Sequence, residues 1–189
     1  KVLLSFMYAT GARAQEICDF TVADLHINGK NASVTLLGKG SKTRQVGVSL
    51  TLAETVQKYI RHRHIERYPG RHVFSSQTHE LMTVSCVEGI YKKYVTIAKK
   101  KHPGLFLQES YPPHSMRHST ACHLLEAGVD IVTIRNILGH VSVQTTQIYA
   151  EMSQDSVDRK LKEWNDTWFG SKIELKEPKK DIPDFLKKK

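Results

Sequence analysis

Two short stretches of the sequence place an arginine beside a residue that can carry a proton or a negative charge. In PPHSMRHS, His114 and Arg117 are three positions apart at the start of a predicted helix, so both project to one side. A helix N-terminus favours an anion, and a guanidinium adds a two-pronged donor for phosphate oxygens. In TGARAQE, Arg13 comes just after a glycine turn and Glu16 three positions later, which permits a phosphate-binding arginine oriented by a carboxylate. Both patterns are also typical of solvated surfaces, where such an ion pair contributes roughly a few tenths of a kcal/mol.

A lysine at the tip of a predicted hairpin is a candidate general acid. The stretch GKGSKTR has the glycine-rich composition of a turn and carries Lys39, Lys42 and Arg44. A lysine between two glycines can swing into a neighbouring site and deliver a proton. The same composition serves turn geometry and solubility, so the tip alone leaves both interpretations open.

A tyrosine near the end of the periodic part of the sequence is a candidate nucleophile. The stretch LGHVSVQTTQIYAEM contains His140 and, nine residues later, Tyr149. In a helix that begins near Ser142, Tyr149 lies about 100° around the axis from Ile148. Ile148 can therefore join a core while the phenol of Tyr149 stays available for chemistry. Periodicity permits this arrangement without requiring it.

The elements that must position these residues follow from periodicity and from breaker residues. The sequence predicts a helix over residues 1–10 that ends at Gly11, a short helix in TGARAQEICDF and a hairpin in ASVTLLGKGSKTRQVGVSL. It further predicts RHVFSS as a short third strand or extended segment, and helices over Thr51–Tyr68, Val84–Lys101, His114–Ala127, Asp130–Leu138, Ser142–Glu151 and Ser153–Phe169. We therefore expect an α+β, mainly helical fold. It would form a single domain over residues 1–169 with a small antiparallel sheet of about three strands, followed by a Lys/Pro-rich tail over residues 170–189.

The charge balance points to a polyanionic partner. The chain has 28 Lys and Arg against 19 Asp and Glu, a formal net charge of +9, and its pI is about 9.5. Nucleic acid is favoured over a membrane, because no basic amphipathic anchor is apparent and no apolar run approaches the roughly 20 residues of a membrane span. Part of the surplus lies in the tail KEPKKDIPDFLKKK. There is no signal peptide, and because the chain starts inside a predicted helix without an initiator Met, we interpret it as a fragment of a longer protein.

Several function classes lack support in the sequence. Its three cysteines form no CxxC pair, which favours a reducing, cytoplasmic setting. The sequence contains no P-loop, GxGxxG, HExxH or GxSxG. No Cys or carboxylate pattern completes a metal site around the histidines His62, His64, His72 and His79. We expect neither a metal nor a cofactor.

Taken together and in order, the candidate residues resemble the catalytic domain of the tyrosine recombinase (phage integrase) family. The matching pieces are ATGARAQEIC, LLGKGSKTRQV, HSMRHSTACHLLEAGVDIVTIRNILGH and VQTTQIYAEM, which together span residues 8–152. Ser115 and Met116 replace the more usual pair between His114 and Arg117 but keep the spacing. Family members carry an N-terminal core-binding domain that closes around DNA, and we expect that domain to lie outside this chain.

The resemblance implies metal- and ATP-independent cleavage and rejoining of DNA during strand exchange between two sites. Tyr149 would attack the scissile phosphate and form a 3′-phosphotyrosyl link with a free 5′-hydroxyl. Arg13 and Arg117 would clamp the non-bridging oxygens in the transition state. Double-stranded DNA would be the partner, and a tetramer would form on the synapsed sites.

The resemblance also implies roles for the remaining candidates. His114 would assist proton transfer with Tyr149, His140 would hydrogen-bond the phosphate, and Lys39 would protonate the leaving oxygen. Glu16 would orient its catalytic neighbours. Further DNA contacts are expected from Lys42, Arg44 and His118.

Other functions remain open at the level of sequence. STACHLLEAGVDIVTIRNILGH also fits a helix-turn-helix module of a non-enzymatic DNA-binding protein. A type IB topoisomerase-like DNA relaxase would use the same nucleophile and arginines, and an inactive homologue could serve in assembly. The amphipathic segment 153–169 would pack on its own domain or dock on a neighbouring protomer.

Overall fold

Helices dominate the described part of the chain, and a small sheet follows the second of them. The computed structural model describes residues 1–38, 40–76, 79–106, 108 and 110–139. The helices are α1 (Val2–Thr10), α2 (Ala14–Asp19), α3 (Leu50–His62), α4 (Val84–Lys101), α5 (His114–Glu126) and α6 (Ile131–Leu138), and the strands are β1 (Leu25–Asn28), β2 (Asn31–Leu37) and β3 (Thr43–Val48). Short 3-10 turns cover Val22–Asp24 and Pro103–Leu105. This composition confirms the predicted α+β, mainly helical fold.

The sheet is an antiparallel meander in the order β1-β2-β3. The predicted hairpin is present, because β2 pairs with β3 in a register that sets Val34 opposite Val46 and Leu36 opposite Arg44. Val34, Leu36 and Val46 are buried, so alternate positions of these strands turn one face to the core. Lys42, which precedes β3, is exposed.

RHVFSS, predicted as a short third strand or an extended segment, is an extended segment with an isolated bridge between Thr21 and His72. The third strand of the sheet is β1, which was not predicted. Val73 and Phe74 are fully buried, and the Val73 amide donates to the Phe20 carbonyl at 2.9 Å. The apolar pair therefore marks a buried extended segment. The strand β1 is mostly exposed and has no apolar alternation to reveal it.

An aromatic cluster fixes α1 at the centre of the core. The Phe6 ring lies 4.6 Å from the Phe20 ring and 5.5 Å from the Phe74 ring, measured between centroids, and all three side chains are buried. These residues come from α1, from the end of α2 and from the extended segment. Their packing joins α1, the residue after α2 and the extended segment in one core.

Most predicted helix bounds are close to those observed, and one differs clearly. The helix α3 ends at His62 and not near Tyr68. His64 adopts a left-handed conformation with φ 55°, and the Arg63 guanidinium donates to the carbonyls of His72 and Val73 at 2.9 and 2.7 Å. The chain therefore turns back before the Pro69-Gly70 signal is reached. The predicted helices Ser142–Glu151 and Ser153–Phe169 and the tail 170–189 lie outside the described residues.

Glycine at position 11 is required by both its backbone and its surroundings. Gly11 ends α1 with φ 58°, and a Cβ built there would lie 2.5 Å from Cδ2 of Leu138 on α6. Left-handed backbone is unfavourable for residues with a Cβ. The end of α1 therefore approaches α6 as closely as a glycine allows.

We expect Gly11→Ala to lower the free energy of unfolding by about 2–4 kcal/mol, because overpacking against Leu138 adds to the backbone cost. Urea denaturation followed by circular dichroism measures this loss. Gly29→Ala is the matched control, since Gly29 has φ 57° but a Cβ there would meet no described atom within 4 Å. Equal losses in the two variants would contradict a role for the contact with Leu138.

Among the described residues, no helix combines the length and the apolar character that crossing a bilayer requires.

Candidate active site

The site begins where α1 gives way to α2. Arg13 occupies the position before α2, and its backbone N–H donates to Glu16 Oε2 at 2.7 Å. The Arg13 guanidinium also donates through Nη1 to Glu16 Oε1 at 2.8 Å. The Glu16 side chain is only 2% exposed, whereas that of Arg13 is 34% exposed. The pair is therefore a buried carboxylate that orients a partly accessible guanidinium, not a solvated surface pair.

A second arginine reaches the same carboxylate from the sheet. Arg44 on β3 donates through Nη1 to Glu16 Oε1 at 2.5 Å and through Nη2 to Glu16 Oε2 at 2.7 Å. Its side chain is 10% exposed. Arg44, which the sequence suggested as a DNA contact, is thus turned inward in a bidentate pair.

The two arginines keep Glu16 ionised. Burial acts to raise the pKa of Glu16, but the hydrogen bonds from Arg44 and Arg13 and the positive charge of Arg44 outweigh it and hold the pKa below the usual value. The carboxylate therefore remains anionic in the neutral range. As an anion it accepts hydrogen bonds from both guanidinium groups at once.

Arg117 lies on the buried side of α5. Its side chain is 2% exposed, and its Nη1 donates to the Gly11 carbonyl at 2.6 Å. Its Nη2 donates to the Leu138 carbonyl. The side chain therefore joins α5 to the end of α1 and the end of α6.

His114 begins α5 beside these cations. Partial burial lowers the pKa of His114, and the positive charges of Arg117, Arg13 and His118 lower it further. The imidazole is therefore neutral near pH 7 and can accept a proton. His118, one turn later, has its Nε2 3.7 Å from the Cys122 sulfur.

A cavity of about 240 Å³ brings three of the predicted residues together. Arg13, His114 and Arg117 line it from α2 and α5, with Ala12, Ala14, Pro112, Pro113 and, from α4, Glu88 completing the walls. Glu88 was not predicted, and no local pattern in the sequence signals that α4 reaches this cavity. Lys39, His140 and Tyr149 lie outside the described residues, and Lys42 is exposed near the tip of the hairpin.

The carboxyl end of α6 meets three arginines, one at each of three consecutive carbonyls. Arg44 Nε donates to the Ile137 carbonyl at 2.7 Å, Arg117 Nη2 donates to that of Leu138, and Arg13 Nη2 donates to that of Gly139 at 3.1 Å. The last carbonyls of a helix have no partner within it, and cations are favoured there. These contacts could not be predicted from local patterns, because the residues involved are 21 to 126 positions apart.

This arrangement suits a phosphate and a proton transfer. Arg13, which is partly exposed, and Arg117, which is buried, both line the cavity. Both stay charged at any physiological pH. The neutral imidazole of His114 borders the same space. Among the described residues, no group of three or more His, Cys, Asp or Glu side chains is placed to hold a metal ion.

A family model settles the relationship that the site suggests. The model of the phage integrase family matches residues 1–155. The chain belongs to this family. The resemblance drawn from the sequence is therefore confirmed, and it extends over the described residues as well as the segment that contains His140 and Tyr149.

Relatives of the chain include several tyrosine recombinases. The chain is 32% identical over 157 residues to tyrosine recombinase XerD of Halalkalibacterium halodurans, covering 82% of this chain and 50% of that protein. It is also 32% identical over 154 residues to tyrosine recombinase XerA of Pyrococcus horikoshii, covering 81% of this chain and 50% of that protein. The chain thus spans about half the length of the curated relatives it matches.

Solved structures of the family share the fold. A crystal structure of XerA recombinase superposes with a TM-score of 0.68 at 24% identity, covering 86% of this chain and 56% of that one. XerH recombinase in a post-cleavage complex with a palindromic difH substrate gives a TM-score of 0.70 at 22% identity, covering 87% and 45%. These similarities confirm the fold class.

Proposed function

We propose that the protein is a site-specific tyrosine recombinase that cleaves and rejoins DNA through a covalent link to Tyr149. The observation that carries this proposal is the cavity lined by Arg13, His114 and Arg117, in a chain that belongs to the phage integrase family. Two permanent cations and a neutral imidazole around one small space are suited to a phosphodiester.

In the proposed reaction, the Tyr149 oxygen forms a bond to phosphorus as the bond from phosphorus to the 5′-oxygen breaks. The phenol has a pKa near about 10, so its proton must pass to a base, and the neutral imidazole of His114 is suited to accept it. Lys39 would protonate the leaving 5′-oxygen, and His140 would hydrogen-bond the phosphate. The phosphotyrosyl bond keeps the energy of the phosphodiester, so attack by a 5′-hydroxyl rejoins the strand without ATP.

The arginines stabilise the charge that develops on the phosphate oxygens. Arg13 is the more accessible of the two, and Glu16 fixes its orientation through two hydrogen bonds. Arg117 adds charge from the inner wall of the cavity. Removing one such donor typically reduces a rate by about 10²–10³-fold.

Double-stranded DNA is the proposed substrate, and strand exchange between two sites calls for a tetramer on the synapsed DNA. The formal net charge of +9 favours such a partner. The XerH structures contain a difH substrate, and structures of Tn1549 transposon integrase contain a circular intermediate DNA or transposon right end DNA. The proposal places the reaction on DNA in the cytoplasm.

The deciding experiment is a search for a covalent complex. The protein is incubated with a pool of nicked DNA duplexes of randomised sequence, so that the short cleaved fragment diffuses away and the adduct accumulates. We expect a DNA adduct that survives denaturation, disappears in Tyr149→Phe and persists in the control Tyr68→Phe, since Tyr68 is an exposed residue beyond α3. An adduct that persists in Tyr149→Phe, or no adduct with the unsubstituted protein, would overturn the proposal.

The same experiment separates the alternatives. A non-enzymatic DNA-binding protein would bind the duplexes equally well with either tyrosine variant and form no adduct. A topoisomerase-like relaxase would form the adduct but would not join strands from two different duplexes. Joined products from two differently labelled duplexes are therefore the expected result for a recombinase.

A further inference from the structure

Arg44 lies close to the backbone before Lys39, to the backbone before His140 and to the carboxylate that holds Arg13. It holds Glu16 by two hydrogen bonds, and Glu16 in turn holds Arg13. The backbone of Gly38, the residue before Lys39, passes beside the same pair: a Cβ at Gly38 would lie 3.5 Å from Glu16 Oε1 and 3.9 Å from Arg44 Nη1.

The Arg44 side chain also contacts the carboxyl end of α6. Its Nε donates to the Ile137 carbonyl at 2.7 Å, and a Cβ at Gly139 would lie 3.0 Å from Arg44 Cδ. Gly139 has φ 64° and immediately precedes His140. Arg44 therefore lies beside the residue before Lys39 and the residue before His140, and it bonds the carboxylate that orients Arg13.

The burial of Arg44 argues against its acting on DNA directly. Its side chain is 10% exposed, and its Nε, Nη1 and Nη2 all donate to partners within the chain. Reaching a DNA phosphate would require breaking a bidentate pair with a carboxylate that is itself only 2% exposed. Stripping that buried anion of one of its two cations is costly.

We infer that Arg44 is a positioning residue for DNA cleavage, an inference that rests on the proposed function. It fixes the distance between the glycine before Lys39 and the glycine before His140 and keeps Glu16 in place against Arg13. A lysine cannot replace it, because a single ammonium cannot span two carboxylate oxygens and a carbonyl in the fixed geometry of a guanidinium.

The test compares DNA binding with single-turnover cleavage in Arg44→Lys and Arg44→Met. The probe is the nicked duplex recovered from the randomised pool, at saturating concentration, and circular dichroism fixes the folded fraction of each preparation. We expect the Kd for DNA and its salt dependence to match those of the unsubstituted protein, while the cleavage rate per folded molecule falls about 10²-fold, as displacement of catalytic groups by about 1 Å produces. Arg44→Lys keeps the charge on Glu16 neutralised and remains informative if Arg44→Met does not fold.

Gln45→Met is the matched control on the same strand, because Gln45 is exposed and its Nε2 donates to Ser33 Oγ across the sheet. It should leave both binding and cleavage unchanged.

Two results would overturn the inference. One is a decrease of about 0.9 in the slope of log Kd against log salt in Arg44→Met, which removes the charge, and this would mean a direct phosphate contact. The other is a cleavage rate in Arg44→Lys equal to that of the unsubstituted protein. Failure of the unsubstituted protein to form any adduct would instead overturn the proposed function, and this inference with it.

Discussion

Replacing Glu16 with glutamine should lower the free energy of unfolding by about 3–5 kcal/mol at pH 7. The glutamine fits the same space but removes the charge that faces Arg44 at 2.5 and 2.7 Å and Arg13 at 2.8 Å. Arg44 would then keep a largely buried positive charge with a neutral partner. Urea denaturation at pH 7, followed by circular dichroism, measures the loss.

The same variant should change how stability depends on pH. Because the pKa of Glu16 is lowered in the folded state, its contribution is fully present above the unfolded value of about 4.5 and is lost as pH falls through the folded pKa. The unsubstituted protein should therefore lose more stability than Glu16→Gln on acidification below that value. Glu88→Gln is the control, since this exposed carboxylate lines the same cavity and its loss should cost less than about 0.5 kcal/mol. If the free energy of unfolding of Glu16→Gln and of the unsubstituted protein changed in parallel with pH, the lowered pKa of Glu16 would be contradicted.

Arg117→Met should lower the free energy of unfolding by about 3–5 kcal/mol and abolish nearly all DNA cleavage. Methionine preserves much of the apolar stem but leaves the Gly11 and Leu138 carbonyls without the Arg117 donors. The same change removes a permanent charge from the wall of the cavity. Per folded molecule, the covalent DNA adduct should form about 10²–10³-fold more slowly.

Two measurements separate the structural and chemical parts of that loss. Denaturation gives the stability, and adduct formation at a temperature where the variant is folded gives the chemistry. Arg61→Met is the control, because Arg61 is an exposed arginine whose Nη2 bonds Gln57 on the same helix; neither quantity should change by more than experimental error. A normal cleavage rate in folded Arg117→Met would show that this arginine only supports the fold.

Local patterns predicted an element well where one of its faces is buried and a clear capping residue marks where it begins or ends. The helix α4 was predicted with its observed bounds, and α6 with Asp130 as its cap, whose carboxylate accepts from the amides of Val132 and Thr133. The strand β1 was missed because an exposed strand of four residues has no burial pattern. The end of α3 was missed because it depends on a contact between Arg63 and carbonyls nine and ten positions away.

Some residues of the candidate site could be predicted from the sequence, and others could not. Arg13, His114 and Arg117 were found because their types and spacing resemble a known family, and the structure places them around one cavity. The roles of Lys39, His140 and Tyr149 stay predictions. The inward turn of Arg44 and the contribution of Glu88 could not be predicted, because each depends on how β3 or α4 packs against α2, and spacing along a chain does not encode that packing.

The three arginines at the end of α6 also bear on the order in which the protein assembles. The helix has eight residues, well below the roughly 12–15 that an isolated helix needs to persist in water. The arginines that donate to its last carbonyls come from α5, from the sheet and from the start of α2. The end of α6 therefore gains these hydrogen bonds only after those parts have come together. The backbone of residues 137–139 is thus held in place only when α5, the sheet and the start of α2 are all in position. Under the proposed function, an incompletely folded chain would still contain Tyr149 but would lack the assembled arginines, and we would expect it not to cleave DNA.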